Sequence, residues 1–158
     1  MTFRVGIGYD VHRLEAGYDL CLGGIVIPHI AGTVGHSDGD VLIHAMCDAL
    51  LGAAGLRDIG YFFPDNSDEF KNIDSKILLK LTFDLVNEKG FKVINIDSTV
   101  CLENPKISSF IPEMITRIST AIETEPDNVT IKATTTEKLG FTGREEGIIA
   151  MATVLLSK

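Results

Sequence analysis

Asp10 and His12 stand two residues apart in the apolar stretch Phe3-Arg4-Val5-Gly6-Ile7-Gly8-Tyr9-Asp10-Val11-His12. In a strand that spacing puts both side chains on one side. His44 comes later, in Ser37-Asp38-Gly39-Asp40-Val41-Leu42-Ile43-His44. One carboxylate and two imidazoles are donors zinc accepts, and three protein ligands leave a fourth position open. An ion held that way polarises a substrate oxygen. A plainer reading stands beside it: Asp-x-His pairs are common, and His44, next to Ile43 and Ala45, also fits a core histidine. Asp48, one helical turn beyond His44, either fixes its tautomer or is simply solvated. Cys47 reads as a small buried residue rather than a ligand.

Other polar stretches invite the same double reading. His36-Ser37, just before a helix start, suits an anion, or Ser37 merely caps the helix. Asp58-Ile59-Gly60 and Phe63-Pro64-Asp65-Asn66-Ser67 offer carboxylates to substrate hydroxyls, or form solvated turns. Leu102-Glu103-Asn104-Pro105-Lys106-Ile107-Ser108 leads from a strand to a helix. Its backbone can read a base edge and Lys106 can meet a phosphate, or the loop only connects. Lys132-Ala133-Thr134-Thr135-Thr136-Glu137-Lys138-Leu139-Gly140-Phe141-Thr142-Gly143-Arg144 is the most distinctive run. Glu137 is a hard oxygen ligand of the kind Mg²⁺ takes, and Arg144 suits bidentate phosphate recognition.

The elements that must position these residues follow from pattern. Residues 3–11 read as a strand and 18–28 as a hairpin turning at Gly23-Gly24. Residues 40–52, 75–89 and 109–124 read as helices, with Ser37, Asp38 and Asp40 as cap candidates for the first. Residues 92–102, 129–135 and 147–156 read as strands, and 56–72 as irregular. Strands alternating with helices predict an α+β domain: a mixed sheet with helices packed on one face, ferredoxin-like in flavour. With 158 residues and neither repeat nor linker, residues 1–158 form one expected domain.

The formal net charge of −8 argues against nucleic acid as a partner, since phosphate backbones want clustered Lys and Arg. No apolar run reaches the ~18–20 residues of a membrane span. Cys21, Cys47 and Cys101 form no CxxC pair, which fits a reducing cytoplasm. Neither a signal core nor a transit segment is expected at the N-terminus.

Taken together, Gly8-Tyr9-Asp10-Val11-His12, His36-Ser37-Asp38-Gly39-Asp40, Asp48-Ala49-Leu50-Leu51-Gly52-Ala53, Asp58-Ile59-Gly60, Phe63-Pro64-Asp65 and the 132–144 run resemble the 2-C-methyl-D-erythritol 2,4-cyclodiphosphate synthase family. The likeness runs through the whole chain in order. It implies a cyclising phosphorus–oxygen lyase of the non-mevalonate isoprenoid pathway. The substrate would be 4-diphosphocytidyl-2-C-methyl-D-erythritol 2-phosphate, and CMP would leave. It implies Zn²⁺ on Asp10, His12 and His44, and a second divalent ion, Mg²⁺ or Mn²⁺, near Glu137. His36 and Thr135 would stabilise the transition state. Residues 58–60 and 63–67 would hold the erythritol end, and Asp10, Val11, His12, His36 and Ser37 would also contact the substrate. Residues 102–108 and 134–137, with Phe141 and Arg144, would hold the cytidine diphosphate end. The family is a homotrimer with sites shared between subunits. In many bacterial members a carboxylate near the position of Met151 pairs with the arginine matching Arg144, and Met151 departs from that pattern. Relatives can be fused to a cytidylyltransferase, whereas this chain is expected to be monofunctional. Zinc-dependent phosphohydrolysis, or nucleotide binding around a structural zinc, are the alternatives.

Overall fold

The computed structural model describes residues 1–64 and 73–158; Asp65, Asn66 and Ser67 lie outside the described residues. The elements are β1 (Phe3–Ala16), β2 (Leu20–Leu22), β3 (Ile25–Ile27), β4 (Ala31–Val34), α1 (Val41–Ala54), α2 (Ile59–Phe62) and α3 (Ser75–Glu88). Then come β5 (Lys92–Cys101), α4 (Ile111–Ala121), β6 (Val129–Thr134), α5 (Gly140–Gly143) and β7 (Gly147–Ser157). The main sheet has the order β4-β1-β7-β5-β6, and β2 and β3 pair as a separate hairpin. All its pairings are antiparallel except β5–β6, whose parallel register needs the α4 crossover. The expected α+β architecture, a mixed sheet with helices on one face, is therefore what the chain adopts.

Alternation decides which face is covered. Ile148, Ala150, Ala152, Val154 and Leu156 of β7 are buried, as are Ile96, Ser98 and Val100 of β5. Helix α1 is buried almost all round, because it lies between the sheet and α3. On β1 the covered positions are Gly6 and Gly8, where any Cβ would run into the α1 backbone at Ala49 and Ala45. Those glycines let the helix press directly onto the strand. Asp10 and His12 continue the same face, two and four residues beyond Gly8, so they meet the N-terminal turns of α1.

Strand β1 extends past the expected 3–11 because Arg13–Ala16 pair with β4, a strand the periodicity of 31–34 is too short to announce. The hairpin turns at Gly23 and Gly24, both with positive φ (62° and 78°), as a two-residue turn between twisted strands requires. Within the expected irregular stretch lies α2, and within the 137–144 loop lies α5, each a single turn. No helix among the described residues is long and apolar enough to cross a membrane.

Candidate active site

Of the three cap candidates before α1, Asp40 does the capping. Its Oδ1 accepts the Ile43 N–H at 3.0 Å and its Oδ2 accepts the Gly24 N–H at 2.7 Å. The fully buried carboxylate thus ties the hairpin turn to the helix start; burial pushes its pKa up against those two bonds. With Asp40 fixing the first turn, His44 at the next turn faces β1.

There the three donors converge. His12 Nε2 lies 2.9 Å from Asp10 Oδ2, and His44 Nδ1 lies 3.2 Å from both Asp10 Oδ2 and His12 Nε2. Among the described residues this is the group of His, Cys, Asp or Glu side chains able to hold a metal ion. A tetrahedral zinc with bonds of about 2.0–2.1 Å needs donors about 3.3–3.4 Å apart, close to what these residues present. The ring orientations agree. His12 Nδ1 donates to the Val34 carbonyl at 2.8 Å, which leaves the Nε2 lone pair aimed at the centre. The electrostatics agree as well. Burial works to raise the Asp10 carboxyl, but hydrogen bonds and charge from His12 and His44 outweigh it and hold the group far below the usual carboxylate range. Burial works to lower His12, and Asp10 with the Val34 carbonyl raises it on balance. The donor set fits a divalent ion.

His12 and His44 open onto a pocket of about 320 Å³ lined by His36, Ser37, Ile59, Gly60 and Phe63. Asp58 caps α2, its Oδ1 taking the Tyr61 N–H at 3.0 Å, and Pro64 follows that helix. Asp48 does not reach His44; its Oδ1 accepts the Ile59 N–H at 2.8 Å and so pins the pocket wall to α1. Burial raises the Asp48 carboxyl, with the Ile59 bond opposing. Cys47 is wholly buried, and burial pushes its thiol up to about 12. Val11 points to the opposite face of the sheet and lines, with Phe141 and Glu146, another hollow that also borders His12.

A second pocket of about 160 Å³ is lined by Leu102, Pro105, Lys106, Ile107, Thr134 and Thr135. It shares no residue with the first. Glu137 and Lys138 stand in the left-handed region, at φ 54° and 63°, and Glu103 holds that bend. One oxygen of Glu103 accepts the N–H groups of Thr136 (3.0 Å) and Lys138 (3.1 Å). Thr135 Oγ1 donates to Glu137 Oε1 at 2.9 Å. Asn104 Nδ2 donates to Glu145 at 2.9 Å, and Ser108 is exposed. Arg144 makes a bidentate pair with Glu146 at 2.9 and 3.1 Å. Within the chain the carboxylate partner of Arg144 is thus Glu146, two residues away. Sequence reasoning missed Glu146, and it missed Ser75, whose Oγ lies 3.1 Å from His44 Nε2 across 31 residues. Glu146 could have been found from its i+2 spacing to Arg144. Ser75 carried no local signal.

A YgbB family profile matches residues 3–157. This chain belongs to the YgbB family. A relative from Phocaeicola vulgatus, named 2-C-methyl-D-erythritol 2,4-cyclodiphosphate synthase, is 61% identical over 158 residues, covering 100% of this chain and 99% of its own. The bifunctional IspDF of Campylobacter jejuni superposes with a TM-score of 0.94 at 44% identity over 98% of this YgbB-family chain, which spans 42% of that longer protein. The CDP complex of Plasmodium falciparum IspF gives a TM-score of 0.85 at 35% identity, covering 98% of this chain and 95% of that one.

Proposed function

We propose that this chain converts 4-diphosphocytidyl-2-C-methyl-D-erythritol 2-phosphate to 2-C-methyl-D-erythritol 2,4-cyclodiphosphate, releasing CMP, within the non-mevalonate route to isoprenoid precursors. The observation that carries this reading is the convergence of Asp10, His12 and His44 at 2.9–3.2 Å beside a pocket, in a chain 61% identical to a named synthase along its whole length.

In the reaction an oxygen of the 2-phosphate bonds to the β-phosphorus. The bond from that phosphorus to the bridging oxygen breaks, and CMP leaves with the electron pair. Neither water nor a protein nucleophile is consumed, so the protein's task is positioning and charge neutralisation. Asp10, His12 and His44 would hold Zn²⁺, and Glu137 would stand by a second ion, Mg²⁺ or Mn²⁺; when bound, such ions polarise phosphate oxygens and reduce their repulsion. His36 and Ser37 line the pocket beside the trio and orient the 2-phosphate. His36 from this pocket and Thr135 from the other would stabilise the transition state. Residues 58–60 and 63–67 hold the erythritol end. Residues 102–108 and 134–137 hold the cytidine end, a reading supported by the CDP complexes among the relatives.

The assembly we assign is a homotrimer with each site shared between neighbours. Two observations support it. The two pockets have no residue in common. The uncovered face of β1 presents Val5, Ile7 and Tyr9 at 69%, 74% and 56% exposure, an apolar surface of the kind that marks association. We take residues 1–158 as one domain, and the three free cysteines as supporting a cytoplasmic setting.

Mass analysis of metal-replete protein incubated with the substrate tests the reading. Equal amounts of cyclic diphosphate and CMP are expected; unconverted substrate would refute it.

A further inference from the structure

His44 reaches the centre through Nδ1, so its other nitrogen must be a donor for the ring to serve as a ligand. Two hydroxyls approach Nε2: Ser37 Oγ at 3.0 Å and Ser75 Oγ at 3.1 Å. They are not equivalent. Ser37 lines the pocket, so a ligand can claim it. Ser75, the first residue of α3, is wholly buried. Behind Ser75 stands Asp38. Its Oδ1 accepts the Ser75 hydroxyl, and its Oδ2 accepts the Ser75 N–H at 2.9 Å. Oδ1 also takes the Asp40 N–H at 3.1 Å, and the Asp38 N–H donates to the Ile73 carbonyl at 3.3 Å.

These contacts fix the direction of the Ser75 hydroxyl proton. A carboxylate offers only acceptors, so the Ser75 hydroxyl hydrogen points at Asp38. The Ser75 oxygen is left with lone pairs toward His44, and it can only accept from Nε2–H. With the Nε2 position protonated, Nδ1 is the nitrogen left to ligate a metal ion, and it is the one that faces Asp10 and His12, each at 3.2 Å. We propose that Ser75 is a positioning residue for the metal centre, the middle of an Asp38–Ser75–His44 chain that holds His44 in the tautomer a metal ion needs. This rests on the zinc reading given above. It also gives Asp38, in the loop before α1, a task apart from the helix cap, which Asp40 performs.

The test reads the metal directly. Zinc affinity is measured by chelator competition on wild-type protein and on Ser75→Ala, alongside the thermal midpoint of each stripped protein. Loss of a partner at this distance from the ion costs about 10–100-fold in affinity. That loss is expected for Ser75→Ala, together with an altered visible spectrum of the Co²⁺-loaded form. Unchanged affinity and an unchanged Co²⁺ spectrum would overturn the proposal, even with a lowered thermal midpoint, which a purely structural serine would give. Long-range ¹H–¹⁵N spectra of zinc-loaded wild type decide the matter should the variant not fold. They should show His44 with Nδ1 on the metal and Nε2 protonated; ligation through Nε2 would overturn the proposal. Wild type that takes up no zinc at all would instead overturn the functional reading beneath it.

Discussion

The Asp48 carboxylate accepts the backbone N–H of Ile59 at 2.8 Å, fastening the wall of the metal-side pocket to the helix that carries His44. The bond joins a half-buried side chain of α1 to the first residue of α2. Asp48→Ala leaves that N–H without its partner while touching none of the metal donors. We expect KM to rise several-fold with zinc content unchanged, as checked by steady-state kinetics beside metal analysis. Loss of zinc in step with activity would show instead that Asp48 acts on the centre.

Gly8 has no room for a Cβ, because the Ala45 carbonyl of α1 occupies its place. The obstacle is backbone and cannot swing aside, so Gly8→Ala must push helix from strand. Overpacking of this kind costs about 1–3 kcal/mol. Denaturant unfolding should show a loss in that range, and chelator competition a weaker zinc site, because His44 moves with Ala45. Wild-type stability and affinity would disprove the positioning argument.

Much of this geometry is legible in the chain. The two-residue step from Asp10 to His12 shares a strand face, and the helical pattern after Asp40 carries His44, so local spacing predicts both halves of the centre. What joins them is not local. The close approach depends on Gly6 and Gly8 meeting Ala49 and Ala45 across some forty residues, and glycines in a strand pattern equally suit a bulge. The Ser75 contact to His44 spans 31 residues and arises from how α3 lies over α1, which periodicity does not encode. Strand β4 escaped because four residues with two small side chains form no pattern of their own. The exposed β1 face reads from sequence as ordinary alternation and becomes informative only through the exposure of Val5, Ile7 and Tyr9 among the described residues.

Asp10 and His12 set opposite pH windows on metal-stripped protein. Asp10 resists the upward push of burial through its two histidine partners and stays below its ordinary range. Its contribution to stability is complete above about pH 4 and is lost only as pH falls through the depressed folded value. His12 is lowered by burial but raised on balance by Asp10. Its contribution is complete below about pH 6.5 and is lost as pH rises through the raised folded value. Stripped protein should therefore lose stability on going from neutral to mildly alkaline pH, and Asp10→Asn should flatten that slope. Parallel slopes in the two proteins would contradict the pairing.

Glu103 holds the left-handed bend at Glu137 and Lys138 through two backbone N–H groups. Glu137→Gln removes a charged ligand, and Glu103→Ala releases the bend that presents it. Both should shift the Mg²⁺ titration of activity to higher concentration, with zinc content unchanged. An unchanged titration in Glu137→Gln would remove that residue from the second-ion role.

Cyclisation within one molecule takes no oxygen from solvent, and this separates it from every hydrolytic use of the same metal centre. Turnover of the cytidine diphospho-substrate by metal-replete protein in ¹⁸O-water is the most direct test. The account predicts cyclic diphosphate and CMP that both carry no label. Label in CMP or in an opened phosphate product would contradict it.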